Sequence, residues 1–242
     1  MYFADIHIHA LFGTDDGPRE QAEMYAMLDE AYRQGVRAIC FTPHWNPIAY
    51  GNNADKAQAA FAIAREYLIK TEQMMTLFLA NELRYSRDAD KYLRNGSCKK
   101  YDGSRYVLVD FGFNERADNI ADAIRTILSI GMVPVLAHVE RYPNFGSHLK
   151  TIEKMKADGI RIQLDAGSIL GEFGFCCRKR AIKLLSEGLA DIIVSDAHGI
   201  KNRPIVLNQA SALVVDKFGN DYAERLFWDN PREVLTTVRS MG

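Results

Sequence analysis

Cysteine is scarce in this 242-residue chain, and none of the four present, Cys40, Cys98, Cys176 and Cys177, belongs to a Cys-x-x-Cys pair. Zinc ribbons and dithiol redox motifs are thereby excluded, and the thiols are expected to be the reduced ones of a cytosolic protein. Neither sign of charge is in excess: 30 lysines and arginines face 31 aspartates and glutamates, leaving a net charge of -1 and a pI near 6.6. A nucleic-acid or membrane-surface role rests on a basic surplus that is missing here. Nowhere is there an apolar run of the roughly 18 residues that a membrane span requires. The amino terminus has no basic region followed by an apolar stretch. No repeat, low-complexity tract or linker divides the chain. The expectation is one cytoplasmic domain over residues 1–242, with no nucleic-acid partner and no membrane insertion.

A hydrophobic share of 48% supplies the core of an ordinary globular domain. Seven short apolar runs read as strands: Phe3 to His9, Ala38 to Thr42, Thr76 to Asn81, Tyr106 to Asp110, Val133 to Ala137, Ile160 to Asp165 and Asp191 to Ser195. Amphipathic helical stretches lie between them, several closed by a glycine such as Gly35 or Gly188. Pro18, after Asp15-Asp16-Gly17, is placed to open a helix running to about Gln34. Near-continuous apolar strands alternating with helices favour parallel pairing buried on both faces, and seven such units suggest an α/β barrel. Two stretches, Trp45 to Asn53 and Arg84 to Arg105, are polar or rich in turn residues and read as loops following strands. The tail from Arg203 to Gly242 reads as two or three closing helices, broken at Gly219-Asn220 and Asn230-Pro231.

The histidines carry the chemistry. Five of six fall in Asp5-Ile6-His7-Ile8-His9, Thr42-Pro43-His44, Leu136-Ala137-His138 and Ser195-Asp196-Ala197-His198, and only His148 stands apart. Side chains alternate along a strand, so His7 and His9 share one face. His44, Glu82, Asp110, His138, Asp196 and His198 each follow or end a strand. In a parallel barrel those carboxyl-terminal ends form one rim, where such folds keep their active sites. Taken singly, His-x-His or Asp-x-His is more often a local hydrogen-bonding pair than a ligand pair. Eight ligand-type residues on one rim favour a metal site.

Imidazole and carboxylate without thiolate suit zinc, iron or manganese. With Asp16 there are nine candidates, whereas one ion takes about four to six ligands, so two or three bridged ions are expected. Such a centre would keep roughly one positive charge at the rim and would attract a phosphate dianion. Arg141 and Arg203 are placed to fork onto phosphoryl oxygens, although an arginine here could equally pair with a neighbouring acid.

These residues resemble the polymerase-and-histidinol-phosphatase (PHP) superfamily, and within it the bacterial metal-dependent protein-tyrosine phosphatase branch linked to capsular and exopolysaccharide synthesis. The resemblance extends over nearly the whole chain and is carried by the histidine motifs together with Asp15-Asp16-Gly17-Pro18, Asn81-Glu82-Leu83, Ser104-Arg105-Tyr106, His138-Val139-Glu140-Arg141-Tyr142 and Ala166-Gly167-Ser168. It implies a distorted seven-unit β/α barrel of TIM-like form, the PHP fold. It further implies that His7, His9, Glu82 and Asp196 hold one ion, that Glu82 bridges to a second taking Asp110 and His138, and that Asp16, His44 and His198 hold a third. Arg141 and Arg203 would bind the phosphoryl group. Three positions depart from the branch: Asp110 where glutamate is usual, Trp45 where histidine or another basic residue is common, and Asp165 where asparagine is frequent.

The resulting expectation is phosphomonoester hydrolysis by a hydroxide shared between ions, since metal binding lowers the pKa of water towards about 7. No cysteine begins the Cys-x5-Arg loop of thiol-based tyrosine phosphatases. The resemblance makes manganese the leading metal, with iron, zinc or magnesium as alternatives, and the tyrosine-rich tail of a bacterial tyrosine kinase the leading substrate. Two other readings stand beside it. One is a phosphatase for small molecules such as histidinol phosphate or nucleotides. The other is a metal-stabilised module that binds a phosphoprotein without hydrolysing it.

Overall fold

The structure, a computed structural model, describes residues 1–236. All pairing among its nine strands is parallel. One sheet holds β1 (Phe3–Ile8), β2 (Val36–Phe41) and β4 (Thr76–Leu79), in the order β1-β2-β4. The other runs β3-β5-β6-β7-β8-β9, from β3 (His44–Trp45) and β5 (Glu82–Arg84) through β6 (Tyr106–Asp110), β7 (Val133–Leu136) and β8 (Arg161–Asp165) to β9 (Ile192–Val194). All seven runs expected to be strands are strands.

The two extra strands come from breaks in the second and third units. At Thr42-Pro43 and Ala80-Asn81 the chain changes sheet while keeping its backbone bonds, Ala80 N–H to Phe41 O (2.9 Å) and Glu82 N–H to Pro43 O (3.3 Å). At the far end, Asp196 N–H donates to His7 O (3.0 Å) and His9 N–H to Ala197 O (2.9 Å), joining the exits of β9 and β1. The wall is less complete lower down, because β4 pairs with β2 and β6 pairs with β5. A groove of about 1280 Å³ opens there, lined by residues of β4 and by Phe61, Leu68, Leu93 and Cys98.

Alternation along the strands sorts the core into two regions. Ala4, Ile6, Ala38, Cys40, Leu108, Val135 and Ile192 face one another inside the curved sheets, and Val234 and Leu235 pack with them. Tyr101 fills this interior, its hydroxyl donating to Ile6 O (3.0 Å). The outward residues, among them Ile39, Phe41, Val109, Ile162 and Ile193, pack under the helices.

Those helices are α1 (Gln21–Gln34), α2 (Pro47–Tyr50), α3 (Ala54–Lys70), α4 (Ala89–Arg94), α5 (Ala117–Ser129), α6 (Leu149–Ala157), α7 (Ala166–Leu170), α8 (Phe175–Ser186), α9 (Leu207–Phe218), α10 (Asn220–Glu224) and α11 (Asn230–Thr236). Helix α1 buries Met24, Met27, Leu28 and Ala31, one helical face. It stops at Gly35, whose φ of 97° lets its N–H return to the carbonyls of Ala31 and Tyr32.

Three sequence expectations are corrected. Helix α1 begins at Gln21 and not at Pro18, because Asp15 to Pro18 is drawn into a tight loop over the end of β1. The presumed loops 45–53 and 84–105 contain α2 and α4. Asn230-Pro231 does not break the tail: Arg225 to Asp229 form a π-turn and Asn230 stays helical at φ -64°, so Pro231 follows directly on the π-turn within one continuous helical run. The Gly219 break is real, with φ 89° between α9 and α10. The rest of the expected tail, residues 237–242, lies outside the described residues.

Candidate metal centre

The first two candidate ligands, His7 and His9, are aimed by an irregularity in β1. Asp5 pairs with Ile39 but Ile8 with Phe41, so β1 carries one more residue than β2 across this span. Ala4 and Ile6 face the interior, whereas Ile8 packs outward. This bulge shifts the parity and turns His7 and His9 towards the rim. Asp5, now buried, accepts from Ser195 N–H (3.0 Å) and Ser195 Oγ (2.6 Å). Burial pushes its pKa up to about 6 against those bonds.

Eight of the nine expected ligands meet at this rim in three overlapping clusters, and the ninth, Asp196, lies beside two of their histidines. His9, Asp16, His44 and His198 form one, His7, His9 and Glu82 a second, and Glu82, Asp110 and His138 a third; within each, ligand-type atoms lie within 4.8 Å of one another. Asp196 Oδ1 lies 3.4 Å from His7 Nε2 and 3.5 Å from His9 Nε2. Glu82 is the hub. Its Oε2 stands 3.5, 3.2 and 2.7 Å from nitrogens of His7, His9 and His44, and its Oε1 is 3.1 Å from His138 Nε2. Asp16 Oδ1 lies 3.3 Å from both His44 Nε2 and His198 Nε2.

The donor set fits cations. Glu82 Oε2 is buried and makes no aligned hydrogen bond despite its three imidazole neighbours. An orphaned buried carboxylate oxygen of this kind calls for a charged partner. His9 Nδ1 donates to Asp15 Oδ2 (2.7 Å), which in the neutral ring leaves an Nε2 lone pair only 3.1 Å from His7 Nε2. Two facing nitrogen lone pairs repel unless a proton or an ion lies between them. Gln163 meets His7 Nδ1, with Nε2 at 2.9 Å and Oε1 at 3.3 Å; accepting from Nδ1–H would leave His7 Nε2 as a donor atom for an ion.

Charges follow this crowding. Burial and His44 oppose a proton on His9, yet Asp15 and Glu82 bring its pKa up to about 9. For His44, burial is outweighed by Glu82 and Asp16, and the pKa rises to about 12. Glu82 and Asp196 stay well below the ordinary carboxylate range despite burial, through His7 and His44 for the first and His7 and Arg203 for the second. Asp165 moves the other way: burial, then repulsion from Asp196 and Glu140, raise it beyond what Arg141 offsets.

Both arginines reach the rim and meet on one acid. Arg141 Nη1 donates to Asp165 Oδ2 (3.2 Å) and Asp196 Oδ2 (3.1 Å). Arg203 donates to Asp196 Oδ2 through Nη2 and lies 3.0 Å from His198 Nε2 through Nη1. His138, Asp196 and Arg203 all have positive φ (36°, 47° and 52°), three of the four such non-glycine residues described. Backbone strain of this kind is kept where a site is over-determined by its surroundings.

Several orienting residues were not assigned from sequence. Asp15 binds His9, His44 N–H and Gly17 N–H; its place beside Asp16 was the only signal. Gln163 was legible in principle, since it lies two residues before Asp165 on a strand whose alternate residues turn inward. Arg84, which pairs with Asp110, sat in a stretch read as loop.

Parallel β/α units that bring histidines and acids to one rim define a scaffold for metal-dependent hydrolysis. The chain belongs to the capsular polysaccharide synthesis family CpsB/CapC, whose model matches residues 3–236. It is 31% identical over 236 residues to the tyrosine-protein phosphatase CpsB of Streptococcus pneumoniae, covering 96% of this chain and 97% of that one. Among solved structures it matches one described with YwqE from Bacillus subtilis and CpsB as metal-dependent tyrosine phosphatases, at a TM-score of 0.88 and 26% identity, covering 99% and 96% of the two chains. A lactonase from Listeria monocytogenes, at a TM-score of 0.67 and 11% identity over 97% of this chain and 94% of that one, shares the fold alone.

Proposed function

We propose that this protein is a cytoplasmic metal-dependent protein-tyrosine phosphatase, a single domain over residues 1–242, acting on the phosphorylated tail of a bacterial tyrosine kinase that governs capsule or exopolysaccharide synthesis. The observation that carries it is the convergence of Arg141 and Arg203 on Asp196, at the edge of three clusters of imidazole and carboxylate donors. His7, His9, Asp16, His44, Glu82, Asp110, His138, Asp196 and His198 would hold two or three divalent ions, manganese first among them. Bound there, the ions would supply a nucleophilic water at neutral pH and offset phosphoryl charge.

The chain's own groups do the rest. Arg141 and Arg203 hold the phosphoryl oxygens, and their contacts with Asp196 keep both guanidinium groups at the rim before substrate arrives. Asp15 and Gln163 fix the rings of His9 and His7. His7→Ala or Arg141→Ala should abolish turnover of phosphotyrosine peptides, and chelation should do so until manganese is restored. Full activity after thorough chelation would overturn the reading. Rates on phosphotyrosine peptide, histidinol phosphate and nucleoside monophosphates, measured side by side, separate it from a small-molecule phosphatase.

A further inference from the structure

Two phenylalanines at the rim have no part in metal binding, yet both lie against Arg141. Its guanidinium carbon is 4.9 Å from the ring centre of Phe113 and 4.4 Å from that of Phe173, and Arg203 lies 5.9 Å from Phe173. Phe113 comes from the loop after β6 and Phe173 from the turn between α7 and α8, so two separate segments bring rings to one cation. Phe113 keeps 49% of its surface exposed. We propose that Phe113 and Phe173 are specificity-determining residues that make this site prefer aryl over alkyl phosphomonoesters. The proposal rests on the phosphatase reading above.

Three features support it. Arg141 is pinned through Nη1 by Asp165 and Asp196, so the rings are not needed merely to hold its charge. Both rings lie against the guanidinium that would bind the phosphoryl group, within reach of what is esterified to it. A phenyl ring one bond from the phosphate oxygen can meet them edge-to-face or offset, whereas the single methylene of a phosphoserine offers little surface. Gly167 makes room for the arrangement: a Cβ there would stand 3.1 Å from Phe173 Cε2 and 2.6 Å from Glu172 Oε2. The Ala166-Gly167-Ser168 motif thus has a packing role in seating Phe173. Finally, Glu82, Asp110, His138 and Asp196 are buried while Phe113 is half exposed, so the aromatic pair stands on the approach to that part of the ions' site.

The test compares kcat/KM of the manganese-loaded protein on one peptide carrying phosphotyrosine or phosphoserine at the same position, for the wild type, Phe113→Leu, Phe173→Leu and Phe113→Tyr. Each leucine variant should lose about tenfold on phosphotyrosine, mostly in KM, with phosphoserine turnover changed less than twofold. Phe113→Tyr should restore the preference. Equal losses on both esters would overturn the proposal by showing that the rings serve only Arg141 or the fold, as would no loss on either. Phe113, being half exposed, gives a variant that folds even if Phe173→Leu does not. A wild type inactive on both peptides would instead bring down the phosphatase reading, and the inference with it.

Discussion

Arg84 holds Asp110. From β5 its Nη1 donates to Asp110 Oδ2 and to Phe111 O (2.6 Å), while Tyr142 donates to Asp110 Oδ1 (2.9 Å). Only Oδ1 is turned towards His138, 3.7 Å from its Nε2. The shorter acid at this position is therefore tied back on one side, which suits a ligand of one ion better than a bridge between two. Arg84→Met should lower manganese affinity about tenfold, the usual effect of removing an orienting partner. Titration calorimetry checks this; unchanged affinity would mean that Asp110 needs no anchor.

Gly17 lies against His9 O so closely that a Cβ could not be accommodated there. Gly17→Ala should push the Asp15-Asp16 loop off β1, moving Asp15 away from His9 and Asp16 away from His44. We expect phosphatase activity to fall at least about tenfold with the far-ultraviolet circular dichroism unchanged. Wild-type rates in the variant would show that the loop can shift without consequence.

Arg141→Lys and Arg203→Lys keep the charge but lose the fork. Each should reduce kcat/KM on phosphotyrosine peptide by about a hundredfold, or about 3 kcal/mol, while metal content measured by elemental analysis stays the same. If the lysine variants lose metal instead, the arginines serve Asp196 rather than substrate.

Metal uptake should release protons. Without ions, His44 with its pKa of about 12 and His9 at about 9 are protonated at pH 7, and an ion takes only the neutral ring. Manganese affinity should therefore rise with pH, by up to about tenfold per unit for each proton displaced. Calorimetry in buffers of different ionisation enthalpy measures the number directly, and a value of zero at pH 7 would contradict the protonated cluster. Saturating metal should also raise the melting temperature, by an amount equivalent to about 2.7 kcal/mol at a hundred times Kd.

The strand count and the rim were legible because a strand buried on both faces writes itself as an apolar run, and because ligand residues follow those runs at their carboxyl ends. His7 and His9 were rightly placed together by alternation. Their direction was not readable, since it depends on the bulge between Asp5 and Ile8, which leaves no mark in the apolar pattern. The breaks at Thr42-Pro43 and Ala80-Asn81 were hidden for a similar reason: the residues stay buried and the backbone bonds continue while the chain changes neighbours. Arg84 and Gln163 act only through partners far away in sequence, at Asp110 and His7. Strand alternation gives the side to which Gln163 turns, but a single chain offers no local signal for the partner of either residue.

The open wall between β4 and β6 divides the molecule into storeys. Above Ala80 the strands are stitched together continuously, from Glu82 through β6 to the exits of β9 and β1, and every histidine of the rim hangs from that stitching. Below it, β4 borders a groove and is paired with β2 but not with β6. Strain or sequence drift along Met74 to Leu79 can thus be absorbed in the lower storey, and it should register in melting temperature well before it reaches turnover.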